Sequence, residues 1–114
     1  MAAPVLSPVR SRRDLDAFVA LPYDLHRRLS GWTPLLRRDA RALVDPARNP
    51  FYDHADLELF LARRGRRVVG RVGAIVNRRH NEVHADRVGF FGFFECEDDA
   101  EAAAALLRSA EEWL

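Results

Sequence analysis

The sequence predicts an α+β domain, an antiparallel sheet carrying helices on its faces in the order β-α-α-β-β-β-α. Three observations lead there. Apolar residues recur at helical spacing over residues 15–29 and 103–114, and the period changes to two from Asp56. The links between the period-two stretches are short enough for hairpins or simple loops, which favours antiparallel pairing. The chain has 114 residues, 48% hydrophobic and 31% charged, the composition of a globular domain. Surface scaling gives about 6,400 Å² folded against about 19,000 Å² unfolded, enough for one core and too little for two. Residues 1–114 are therefore read as a single domain.

Val5 to Arg10 is a short extended stretch broken by Pro8, suited to an edge strand. Ser11 and Asp14 stand at capping-box spacing. Leu15, Phe18, Val19, Pro22, Leu25 and Leu29 follow as one helix, which Pro22 should kink or split because it lacks an N–H donor. Ser30-Gly31 ends it. Thr33-Pro34 is expected to start a second helix with Leu36, Ala40 and Leu43 on one face, closed by Asp45-Pro46. Asn49-Pro50 lies in the irregular connection that follows.

Leu57, Leu59 and Leu61 alternate with Glu58 and Phe60, and a turn falls at Arg64-Gly65. Val68, Val72, Ala74 and Val76 continue as the next strand. Arg78 to Asp86 reads as a polar loop. Val88 to Cys96 (VGFFGFFEC) is apolar on both faces, as a central strand covered on both sides would be, with Gly89 and Gly92 marking a bulge or close approach. Val68–Val76 should then lie between Leu57–Leu61 and Val88–Cys96. The last helix opens at Asp98 and Glu101 and carries Ala103, Leu106, Leu107, Ala110, Trp113 and Leu114 as its apolar stripe. With no glycine, proline or terminal base to stop it, the helix reads as cut at residue 114.

Charge and cysteine content narrow the function classes. All eighteen basic residues are arginine. Seventeen precede Glu95 against ten acids, a local excess of +7; the stretch from Glu95 onward has seven acids and one arginine, or −6. The arginine pairs are scattered among acids and form no uninterrupted basic face with stacking aromatics, so no nucleic-acid partner is expected. The longest strictly apolar run, Ala102–Leu107, is far short of the ~20 residues of a membrane helix. Without a signal-peptide h-region, the expected address is cytoplasmic, with no membrane partner. The single cysteine excludes an internal disulfide framework.

The motif search is mostly negative. His80-Asn81-Glu82-Val83-His84 fails the zincin pattern because Asn81 stands where Glu is needed. The two histidines could share a metal if the loop were helical; solvated loop histidines are the reading taken, and no metal is expected. Cys96 is read as a small core residue over a nucleophile. Phe90, Phe91, Phe93 and Phe94 are read as core packing, and no phosphate loop, dinucleotide fingerprint or nucleophile elbow is present.

The element order, together with the stretches NPFYDHA, NRRHNEVHADRVGFFGFFE and the helix ending AEEWL, resembles the opening half of the GNAT acyl-CoA N-acyltransferase fold, in an uncharacterised bacterial branch. The resemblance runs from about Leu15 onward and implies transfer of an acyl group from an acyl-CoA such as acetyl-CoA to an amine. It places Phe93, Phe94 and Cys96 beside the thioester as cofactor-binding residues. It also makes Glu95 the candidate catalytic base, a strand-end acid near solvent being the plain alternative. The family's glycine-rich pyrophosphate turn is replaced by Cys96-Glu97-Asp98-Asp99-Ala100-Glu101, whose acids oppose a pyrophosphate, so weak CoA binding is expected. A module acting through protein contacts is the alternative function. For a chain ending at Leu114, the Val88–Cys96 edge would pair with a second copy as a homodimer, or with a missing C-terminal half.

Overall fold

The computed structural model describes residues 3–27, 29 and 31–114. Strands β1 (Val5–Pro8), β2 (Ala55–Arg64), β3 (Arg67–Asn77) and β4 (Phe90–Cys96) form one sheet in the order β1-β2-β3-β4, antiparallel throughout. Helices α1 (Arg12–His26), α2 (Arg37–Leu43), α3 (Arg78–His84) and α4 (Ala100–Trp113) complete the domain, with a 3-10 turn at Pro50–Asp53. The α+β class, the edge position of the first strand and the central position of β3 match the sequence-based expectation. The expected order lacked a helix between the third and fourth strands.

That helix is α3. The Asn77 side chain accepts from His80 N at 3.0 Å, and Ala85 closes the turn in the left-handed region at φ 54. It buries no residue, so no apolar stripe announces it. The second helix also differs. It begins at Arg37, with Leu36 as a cap that makes no side-chain hydrogen bond, and not at Thr33-Pro34. The segment before it is tied to α1 instead: the Tyr23 hydroxyl donates to Leu35 O, and the Trp32 ring stands edge-on to Tyr23 with centroids 5.7 Å apart. The first helix runs unsplit through Pro22 to His26; the Ser30 end signal lies outside the described residues. Its start is as expected, with the Ser11 hydroxyl accepting from Asp14 N at 3.0 Å.

Alternation along the strands sends side chains to two cores. On one face, Leu59 and Leu61 pack with Phe18 and Val19 of α1 and with Val44 after α2. On the other, Ala62, Val69, Val72 and Ala74 pack with Ala102, Leu106 and Ala110 of α4. The hairpin between β2 and β3 turns at Gly65, whose φ of +62 favours a residue without Cβ. Arg64 reaches across to α4, bonding Asp99 through Nε at 2.6 Å and Nη2 at 3.0 Å. Arg67 meets Glu97 at 2.9 Å. These pairs set the basic first part of the chain against its acidic end.

One strand expectation is corrected. β4 is the last strand of the sheet among the described residues, not a central strand covered on both sides. Phe90 and Phe91 are 50% and 59% exposed. The pairing shifts between Arg71 and Gly73, so that Val72 faces both Phe93 and Phe94, and Phe93 takes a φ of 56. The bulge suggested by the flanking glycines is therefore real, but its left-handed residue is a phenylalanine.

Candidate functional site

The bulge organises the most concentrated chemistry of the molecule. After it, Glu95 pairs with Arg71 in register and points to the α1 face, where Glu95 Oε2 meets His26 Nε2 at 2.6 Å. Both side chains keep about a quarter of their surface in solvent, 28% for His26 and 26% for Glu95. The His26 ring also packs on Trp32, with centroids 5.5 Å apart. A carboxylate held against an imidazole, half-buried and wet on one side, is an arrangement suited to accepting and passing a proton.

Arg71 is the second member. Pro22 has no N–H to give to the carbonyl four residues earlier, which is that of Phe18. Arg71 Nη1 donates to Phe18 O at 2.7 Å and so fills the vacancy. Its Nε donates to Phe93 O at 2.9 Å, fixing the left-handed bulge residue. The guanidinium lies over the Phe18 ring, 4.6 Å from its centroid. Burial pulls its pKa down from the ordinary arginine value, against the opposing influence of Glu95 and Tyr23. One side chain thus joins the proline position of α1 to the bulge of β4.

Between α1, α2 and this bulge lies a cleft of about 240 Å³. Tyr23, Trp32, Pro34 and Leu43 form apolar and aromatic walls, with Arg71 and Phe93 also in the lining. Phe93 additionally meets Phe18 edge-on, with centroids 6.5 Å apart.

The structure brings together two of the residues singled out from sequence and separates a third. Phe93 and Glu95 share the α1 face. Phe94 is 37% exposed on the bulge. Cys96 is on the opposite face, packed against the α4 core with its thiol 3.9 Å from Asp99 O. Burial raises the Cys96 thiol above its ordinary value, with Asp99 and Glu97 adding to the effect. Sequence reasoning missed His26, Arg71, Tyr23 and Trp32. The signal that could have found Arg71 was Pro22 itself, since a helical proline leaves a carbonyl in need of a donor.

The histidine pair of α3 is helical, not part of a loop, and so shares one helix face. The His80 and His84 rings stand 4.6 Å apart at their centroids, and His80 Nε2 is 3.4 Å from Asp86. Among the described residues no group of three or more His, Cys, Asp or Glu side chains is placed to hold a metal ion. No helix among them is long and apolar enough to cross a membrane.

Comparison with known proteins corrects the family expectation. No family model matches the chain. No solved structure matches it significantly. The names carried by similar proteins are not those of GNAT acyl-CoA N-acyltransferases, so the assignment to that family, and the acetyl-CoA-dependent N-acetyltransferase function drawn from it, is withdrawn. Its basis was element order and short stretches of sequence, and the order of strands and helices in an α+β domain does not specify chemistry. The bacterial ceramide synthase of Caulobacter vibrioides (strain NA1000 / CB15N) is 41% identical over 109 residues, covering 94% of this chain and 28% of the relative. Protein YghO of Escherichia coli (strain K12) is 33% identical over 104 residues, 91% of this chain and 26% of the relative. The chain thus spans about a quarter of the length of the curated relatives it matches.

Proposed function

We propose that the chain belongs to a protein that makes ceramide-type lipids, and that the His26–Glu95 pair serves the amine side of that reaction. The class comes from the ceramide synthase to which nearly the whole chain is similar. The role comes from the 2.6 Å contact between His26 Nε2 and Glu95 Oε2 beside the cleft. A ceramide is an amide of a long-chain amino alcohol. Forming its C–N bond from an activated acyl donor breaks the bond between the acyl carbon and the donor's leaving group, which departs with the electron pair. It also leaves a proton on nitrogen that must go to a base in reach. Glu95, oriented by His26, is the group assigned to take it. The identity of the acyl donor plays no part in this reading.

Mass spectrometry of N-acylated long-chain bases tests it, using cells that express the natural full-length protein and are fed a long-chain amino alcohol. Glu95→Gln preserves size and is expected to lower the rate of amide formation by about 10²-fold or more, the usual contribution of a positioned base. His26→Ala should fall in the same direction by a smaller factor. Wild-type rates in a folded Glu95→Gln protein would overturn the role. Absence of any such lipid in the wild-type cells would overturn the class.

A contact surface belongs to the same reading. The outer edge of β4, with Phe90 and Phe91 exposed beside it, is assigned to pairing with another strand, supplied by a second copy or by further chain.

A further inference from the structure

Arg71 has a second capacity, independent of any base at Glu95. A guanidinium carries five N–H donors. Two hydrogen bonds hold Arg71, to Phe18 O and Phe93 O, and among the described residues it makes no ion pair within 4.0 Å. The carboxylate opposite it in register, Glu95, acts on Arg71 through space but makes its hydrogen bond with His26. The remaining donors belong to a residue that lines an aromatic cleft, where a charge in a partly dry site attracts an oxyanion more strongly than it would at an open surface. Arg37 stands close by, its guanidinium 4.3 Å from the centroid of the Tyr23 ring in the cleft wall.

The geometry points to this cleft as a binding site for the oxyanion head of a small amphiphile, with Arg71 gripping a carboxylate or phosphate and Tyr23, Trp32 and Phe93 holding the first carbons of its chain. A volume of about 240 Å³ is below the usual 300–1,000 Å³ of ligand pockets, so it fits a head and a short apolar stem, not a whole lipid. The two fixed hydrogen bonds give the site pre-organisation: the guanidinium is already held between helix and bulge before a ligand arrives.

Fluorescence of Trp32, read in a Trp113→Phe background, supplies the test. Four probes share one C8 chain: octanoate, octyl phosphate, octanol and octylamine. At least one anion should bind saturably and at least tenfold more tightly than the alcohol or the amine, and the tighter anion identifies the source of the oxyanion. Equal binding of all four, or no saturable binding by either anion below the millimolar range, overturns the proposal. Arg71→Lys keeps the charge and loses the fork, and should weaken the anion at least fivefold. Because Arg71 also anchors the bulge, its variant can fail to fold, so exposed Thr33 in the cleft lining supplies an independent pair. Thr33→Glu should bind the anion at least threefold more weakly than Thr33→Gln. Equal affinities in that pair contradict an electrostatic site.

Discussion

Gly70 shows how little room separates β3 from α4. A Cβ built there would come within 2.6 Å of Leu106 Cδ1, 3.0 Å of Cys96 Sγ and 3.3 Å of the Glu95 carbonyl oxygen. The leucine can move, but the backbone oxygen holds the strand pairing. Gly70→Ala is therefore expected to destabilise by about 1–3 kcal/mol. A melting temperature lower by at least about 4 °C checks it, and an unchanged one would show that α4 floats on the sheet. The same crowding shields Cys96. With the thiol raised by burial, its reaction with an aromatic disulfide at pH 8 should be at least tenfold slower than that of free cysteine, and should recover in urea. At this scale the sequence was partly legible. Glu95 could be singled out because a carboxylate ending an apolar strand is conspicuous. His26 could not, because its partner is 69 residues away and nothing local encodes the pairing. Pro22 read as a helix breaker because only the tertiary structure supplies Arg71 as the missing donor.

Helix α4 shows what an element owes to its first residue. Asp99, not Asp98, is the cap: its Oδ1 accepts from Ala102 N at 3.0 Å while its carboxylate grips Arg64. The hydrogen bond from Arg64, with that from Ala102 N, holds the Asp99 carboxyl down at about 2, below the ordinary 3.8. A depressed carboxyl contributes stability that is fully present above the unfolded value and is lost as pH falls through the folded one. The contribution should thus fade between about pH 4 and pH 2. Asp99→Asn keeps a capping side chain and loses the charge. Urea titrations from pH 2 to 6 should show wild type more stable than the variant above pH 4, with the two curves converging toward pH 2. A gap that stayed constant with pH would locate the effect in the cap alone. The elements themselves were legible where one face is buried. Strands β2 and β3 and helices α1 and α4 announce themselves through apolar periodicity, and β4 through a continuous apolar run. Helix α3 has no buried residue to create a period, and the start of α2 is set by Trp32 and Tyr23 holding the preceding segment to α1.

For the molecule as a whole, area and charge point to the same open edge. The chain exposes 7742 Å², against about 6,400 Å² expected for a monomeric protein of its mass. Its radius of gyration is 14.7 Å, where about 13 Å is usual for this length. Part of the excess is apolar and lies together. Val88, just before β4, and Phe90 and Phe91 at its start are exposed, and Trp113 and Leu114 are partly exposed at the end of the chain. Leu114 is near this edge, because a Cβ built on Gly89 would meet its Cδ2 at 2.4 Å. Natural sheets normally blunt an open edge with charge, proline or a covering segment. Glu95 is the one charged residue on β4, and it is turned toward His26. The 114-residue chain on its own is therefore expected to associate at tens of micromolar through β4, forming a dimer or a larger species. Light scattering measures the mass, and Phe91→Lys, which places a charge beside the strand without touching either core, should shift the equilibrium at least tenfold toward monomer. A wild-type chain that stays monomeric under those conditions would mean that the edge is too twisted by the Phe93 bulge to accept a partner strand.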